Sequence, residues 1–124
     1  MTMGQADSYI KKYVNNEIIV KRFKSYLEEQ PDGCIVWTGA KSDKGYGVFN
    51  IYFKANTRTY TVRAHRFSYA LANGFNNLPI GTDTTQNRKV LHHKCENKAC
   101  VNPSHLEVVT DRFNLGRVND KNMF

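Results

Sequence analysis

The sequence has no long apolar run: no uninterrupted stretch of Ala, Val, Ile, Leu, Met, Phe, Trp, Tyr or Cys exceeds four residues. A membrane-spanning helix needs about 20 such residues and a signal peptide's apolar region about 7–15. Neither is expected, and the sequence reads as a soluble, intracellular protein. Cysteine is scarce and odd in number, at three, which argues against a disulfide framework and leaves metal binding open. Internal repeats and low-complexity segments are both missing. What the 124 residues do contain is seven Tyr, seven Phe and one Trp within a 40% hydrophobic composition. Intrinsic disorder is excluded by that aromatic content, and the length suits one compact domain.

Acidic residues are also few, at 11 Asp+Glu against 18 Lys+Arg, for a formal net charge of +7. The imbalance is not spread evenly. Residues 1–33 carry five basic and five acidic groups, whereas residues 34–124 carry thirteen basic and six acidic and so hold the whole excess. An acidic polymer, nucleic acid ahead of a membrane surface, is the partner such a segment favours.

Residues 7–29 have helical spacing, with Ile10, Tyr13, Val14, Ile18, Ile19, Phe23, Tyr26 and Leu27 on one side. Asn15-Asn16 is a point where the helix can divide, and Gln30-Pro31-Asp32-Gly33 stops it. From Cys34 the period becomes alternating. Cys34–Thr38 is a short strand candidate, and Phe49, Ile51 and Phe53 alternate with polar neighbours before Ala55-Asn56-Thr57 turns the chain back into Arg58–Ala64. The hairpin's apolar face is Phe49, Ile51 and Phe53 against Tyr60 and Val62. Its other face carries Asn50, Tyr52, Lys54, Thr57, Thr59, Thr61 and Arg63. A two-stranded ribbon with Asn, Lys, Arg and Thr side chains suits the DNA major groove, although a plain solvated sheet face has the same composition. A helix over His65–Asn73 capped by Gly74, a polar loop over 75–88, strands at Val90–His93 and Leu106–Val109, and a helix from Asp111 to about Val118 complete the pattern. The fold class expected is α+β.

Cys95, Cys100 and His105 are each separated by four residues. Thiolates and an imidazole at that spacing can wrap a tetrahedral zinc ion, and a closed structural site needs a fourth ligand. Cys34 is the remaining cysteine, so a Cys3His set uses the whole inventory. The loop itself is rich in Asn, Lys and Glu, and coordination would supply the energy its scant apolar surface cannot. His93, two residues before Cys95, is an imidazole at a strand end that could accept a proton from water near neutral pH. His92 competes for that role, because strand neighbours point to opposite faces. Asn114 offers a neutral oxygen to a hard cation such as Mg²⁺.

The order His93-x-Cys95-x4-Cys100-x4-His105 followed by Asn114 resembles the ββα-metal motif of HNH (His-Me finger) endonucleases. The similarity is greatest to the zinc-binding His-Cys box homing endonucleases and related phage HNH proteins. Gly33-Cys34-Ile-Val-Trp37-Thr-Gly39, Gly45-Tyr-Gly47, Ala64-His-Arg66 and Cys100-Val-Asn-Pro103-Ser-His105-Leu106 share the likeness, which covers 33–117. The resemblance implies a DNA-reading sheet and helix over 33–75 and the ββα-metal motif over 88–118. Residues 1–32 match no part of the family and are an N-terminal helical segment by their spacing alone; one nuclease domain is expected to hold all three. The resemblance further implies His93 as general base, Asn114 as ligand of a catalytic Mg²⁺, and Cys34, Cys95, Cys100 and His105 as structural zinc ligands. Asn50, Tyr52, Lys54, Arg58, Thr59, Thr61 and Arg63 would contact double-stranded DNA. Arg63 is the choice for the cation beside the scissile phosphate, with Arg58 and Arg66 as alternatives. The activity implied is Mg²⁺-dependent hydrolysis of DNA to 5′-phosphate and 3′-hydroxyl ends. Homing, restriction and toxin roles stay open, as does a zinc-stabilised DNA-binding module without cleavage. With one active site per chain, cutting both strands takes a homodimer or two successive nicks. The setting implied is a bacterial or phage-infected cytoplasm, or a eukaryotic nucleus.

Overall fold

The computed structural model describes residues 5–52, 59–79 and 89–110. Among the described residues it is an α+β arrangement of three α-helices, two short 3-10 helices and three two-stranded antiparallel sheets. The N-terminal segment divides at the asparagine pair, giving α1 (Gln5–Tyr13) and α2 (Glu17–Lys24). Asn16 causes the division: its side-chain oxygen accepts the amides of Ile18 and Ile19 at 3.0 and 3.1 Å, capping α2.

Helical spacing over 7–29 fails at its end. Leu27–Glu29 is a strand, β1, paired with β2 (Ile35–Trp37) in the register Leu27 to Trp37 and Glu29 to Ile35. Three residues are too few to show a period, and what decides their conformation is the chain's return through Gly33, whose φ of 91° is open to glycine. The hairpin forms as expected, from β3 (Val48–Ile51) and β4 (Tyr60–Arg63), with Phe49 opposite Val62 and Ile51 opposite Tyr60. Phe53, Lys54, the Ala55-Asn56-Thr57 turn and Arg58 lie outside the described residues. Helix α3 (Ala64–Asn73) ends at Gly74, and β5 (Lys89–His93) pairs with β6 (Leu106–Thr110) around a loop that ends in a 3-10 turn, Pro103–His105. The final helix expected from Asp111 lies outside the described residues, where Asn114 also falls. No helix among the described residues is long and apolar enough to cross a membrane.

The core is aromatic. Phe23 of α2 lies with its ring 5.0 Å from Trp37, 5.2 Å from Phe49 and 4.7 Å from Phe67, so one side chain joins α2 to two sheets and α3. Trp37 is buried, and its indole donates to the carbonyls of Ala40 and Val48 at 3.1 and 3.2 Å. Its faces are hemmed by glycine. A Cβ on Gly47 would lie 2.8 Å from Trp37 Cδ1, and one on Gly39 would lie 2.8 Å from Nε1. The anchored indole cannot retreat. Gly47→Ala should therefore cost about 1–3 kcal/mol by overpacking, read as a lower urea midpoint at unchanged slope. An unaltered midpoint would show that the indole has room to move.

Helix α1 is tied to α3 by an ion pair. Arg66 donates to Asp7 Oδ1 at 2.7 Å and to the Pro79 carbonyl at 2.6 Å, and both charged side chains are largely buried. Desolvated charges of this kind are tolerable only when paired, so Arg66 is committed to holding the N-terminal helix.

Candidate metal centre

The four zinc candidates converge. One ligand atom each from Cys34, Cys95, Cys100 and His105 can be chosen so that all lie within 4.8 Å of one another. His105 Nδ1 is 3.6 Å from Sγ of Cys34 and 3.6 Å from Sγ of Cys100. Bonds of about 2.3 Å to sulfur and 2.0–2.1 Å to nitrogen give a tetrahedral S···N edge of about 3.6 Å. The donor set and its spacing thus fit a closed structural zinc site.

Backbone pairing brings Cys34 to the other three. Val36 bridges to Cys100, the Val101 amide donates to the Ile35 carbonyl at 2.7 Å, and the Trp37 amide donates to the Ala99 carbonyl at 2.8 Å. The metal loop therefore runs antiparallel to β2, whose first neighbour is Cys34. Side chains fix the rest. Asp32 Oδ1 accepts the Cys34 amide at 2.9 Å, Asn97 Oδ1 accepts the Ala99 amide at 3.1 Å, and the Asn97 carbonyl accepts the Cys100 amide at 3.0 Å. Asn102 accepts from the amide and hydroxyl of Ser104, caps the turn that carries His105, and donates to the Gly33 carbonyl at 2.7 Å. On the far side, Ser68 of α3 donates to the Val101 carbonyl at 2.5 Å. Cys34 and Cys100 are buried. Burial pushes the Cys34 thiol up to about 12, and hydrogen bonding and charge from Cys100 and Cys95 add to the rise. A bound cation reverses that preference by favouring thiolate, so zinc uptake releases protons.

His93 ends β5 opposite Leu106, and His92 is opposite Glu107. The alternation separates them: His93 is buried toward α3, with its ring 4.6 Å from that of His65. Tyr46 joins the pair, 5.7 Å from His65 and 5.9 Å from His93. Burial pushes His93 down to about 4, against a hydrogen bond with the Cys100 backbone that raises it, while the charge of His92 lowers it further. It is therefore neutral near pH 7, the state in which an imidazole accepts a proton.

His65 is pushed down to about 3 by burial first and then by the charges of His93, Arg66 and Arg63, and its buried Nδ1 has no hydrogen-bond partner among the described residues. A histidine held neutral in the fold but protonated when unfolded below 6.5 removes stability as acid is added. Its contribution is complete above pH 6.5 and is lost as the pH falls toward the folded value. Between pH 6.5 and about 4.5 the wild type should lose roughly 2 kcal/mol more than His65→Leu. Urea midpoints of the two proteins check this, since any release of zinc by acid is common to both. Parallel pH curves would contradict it.

On the hairpin's polar face, Thr59, Thr61 and Arg63 are exposed, Asn50 is half-buried and Tyr52 is exposed. Thr61 donates to Asn50 Oδ1 at 3.0 Å across the strands. Arg63 has its guanidinium carbon 5.5 Å from the Tyr46 ring, which in turn borders both histidines. Lys54, Arg58 and Asn114 lie outside the described residues. Sequence reasoning gave no role to Tyr46, His65 or Lys98; the fold sets the first two against His93 and places Lys98 Nζ 5.3 Å from the Tyr46 ring. The first two lie in quoted motif pieces, Gly45-Tyr-Gly47 and Ala64-His-Arg66, but no spacing rule connects those pieces to His93.

The family model described as the zinc-binding loop region of homing endonuclease matches residues 33–122. No curated protein and no solved structure matches the chain.

Proposed function

Because the chain belongs to the family of the zinc-binding loop region of homing endonucleases, we propose that it is a divalent-metal-dependent DNA endonuclease with His93 as general base. The observation that carries this reading is the placement of His93. It is a neutral imidazole, two residues from a zinc ligand, held between the metal loop and α3.

Zinc would be held by Cys34, Cys95, Cys100 and His105, and four protein ligands leave it no open position for chemistry. Its contribution is to stiffen the loop. Asn114 is the residue proposed to hold a catalytic Mg²⁺, which when bound would supply charge neutralisation for the developing negative charge. His93 takes a proton from the attacking water. The water oxygen bonds to phosphorus, the bond from phosphorus to the 3′-oxygen breaks with its electron pair on that oxygen, and the oxygen takes a proton from solvent water, leaving a 5′-phosphate and a 3′-hydroxyl. An imidazole at about 4 is a weak base, but a neighbouring phosphate raises it, because negative charge favours imidazolium. Arg63 is the proposed phosphate-binding cation. Arg66 is the weaker alternative, since Asp7 and Pro79 already occupy its guanidinium. The exposed face of the hairpin, with Asn50, Tyr52, Thr59 and Thr61, is the proposed reading surface for duplex DNA. Lys54 and Arg58 extend the proposal to its turn.

Incubation of zinc-loaded protein with supercoiled plasmid tests the reading. Nicked or linear product with Mg²⁺, and none in its absence, is the expected result. Plasmid that is bound yet remains supercoiled under every divalent ion tried would make the chain a zinc-stabilised DNA-binding module instead. Homing is the biological role proposed, and mapping the cleavage site to one long target would separate it from a frequent-cutting restriction or toxin activity.

A further inference from the structure

Two cations from separate elements meet at one aromatic ring. Arg63, at the end of β4, has its guanidinium carbon 5.5 Å from the centroid of Tyr46. Lys98, from the metal loop between Cys95 and Cys100, has its Nζ 5.3 Å from the same centroid. Both cations are exposed, and neither has a carboxylate partner among the described residues. Tyr46 itself is held in place. Its carbonyl accepts the Ser42 amide at 2.8 Å and its amide donates to Ser42 Oγ at 3.2 Å, while its ring borders His65 and His93.

A ring face attracts each cation through its quadrupole, but two cations gathered at one side chain repel each other. An anion shared between them relieves that repulsion. Forked guanidinium and compact ammonium are the two side chains that bind phosphate oxygens, the first bidentately and the second as a point charge. An anion held by these two cations would lie near Tyr46, whose ring centroid is 5.9 Å from that of His93.

We infer that Tyr46, Arg63 and Lys98 form a cradle for one backbone phosphate of duplex DNA, with Tyr46 positioning both cations and Lys98 supplied by the metal loop. This deepens the nuclease reading and rests on it: the phosphate held is the one His93 acts beside. The arrangement also gives the zinc site a second consequence. Ordering the loop between Cys95 and Cys100 fixes Lys98, so metal loading and phosphate binding are coupled through one short segment.

The test measures binding of a fluorescent DNA duplex to the zinc-loaded full chain at several salt concentrations, with Ca²⁺ in place of Mg²⁺. Each lost phosphate contact reduces the slope of log affinity against log salt by about 0.9. Lys98→Ala is expected to lower the slope by about one contact, and Lys24→Ala, on the exposed side of α2, to leave it unchanged. Tyr46→Leu should weaken binding roughly fivefold or more, whereas Tyr46→Phe, which keeps the ring face, should bind like the wild type. Zinc content of one per chain in each variant ensures that the loop is intact, and Lys98→Gln replaces Lys98→Ala if it is not. Unchanged slopes for the Lys98 variant, or equal weakening by Tyr46→Phe and Tyr46→Leu, would overturn the cradle. Inorganic phosphate that competes as well as duplex would overturn the assignment to DNA. Plasmid cleavage is scored separately. A wild type that binds with full slope but never nicks sinks the nuclease reading while the slope difference still supports the cradle. A wild type and Lys98→Ala that nick and bind alike sink the cradle alone.

Discussion

His93→Ala should slow plasmid cleavage by about 10²–10⁴-fold, the range a general base contributes, while the protein still binds DNA and retains its zinc. The imidazole is buried beside His65 and hydrogen-bonds to the backbone of Cys100, so its removal leaves a small void but no unpaired charge. His92→Ala is the matched control. His92 lies next door on β5 but opposite Glu107, on the other face of the strand. Rate constants for the two variants at saturating Mg²⁺ decide the assignment. If His92→Ala loses as much as His93→Ala, the base is misassigned; normal cleavage by His93→Ala would remove it from the chemistry altogether.

Loss of zinc should unfold the part of the molecule around the site and abolish cleavage. Structural zinc contributes about 10–16 kcal/mol of apparent binding energy in zinc-finger peptides, against roughly 5–15 kcal/mol for the whole stability of a typical domain. The metal loop here is short of other support. Apart from Cys100, Val101 and Leu106 its side chains are exposed or half-buried, and the backbone bonds to β2 depend on Cys34 and Cys100 staying together. Cys100→Ala is the sharpest version, because Cys100 is fully buried and its Sγ lies 3.6 Å from His105 Nδ1. Bound metal should fall from one zinc per chain to well below one, and the cooperative thermal transition should weaken or vanish. Zinc affinity should also drop as the pH falls, since the buried Cys34 thiol holds its proton tightly without the ion. A chelated protein that keeps its full transition would mean that the cluster is not a structural site.

The three-cysteine inventory, the four-residue spacing of Cys95, Cys100 and His105, and the clustering of positive charge after residue 33 are linear facts. The inventory and the spacing were sufficient to name all four members of the cluster, and the resemblance of the motif order pointed to the family that the chain matches. Strand alternation likewise anticipated that Phe49, Ile51 and Val62 turn inward while Thr61 and Arg63 turn outward. A side-chain period of two depends only on local backbone geometry. Such features survive folding because each is set by neighbours in sequence or by the chemistry of one ion.

Other features needed distant partners. Leu27–Glu29 became a strand because Ile35–Trp37 required an edge to pair with, which outweighed the helical spacing upstream. Arg66, one of three arginines considered for the phosphate, is committed to Asp7, which lies 59 residues away. The meeting of Tyr46 and His65 at His93, and of Lys98 with Tyr46, was equally invisible, because aromatic and cationic contacts leave no spacing rule behind. The sequence by itself therefore determined the metal ligands and the hairpin's two faces. The tertiary structure alone decided which of the described cations lack a carboxylate partner and what surrounds His93. Ligand identity and strand period are properties of short segments, whereas availability of a charge depends on every element that packs against it.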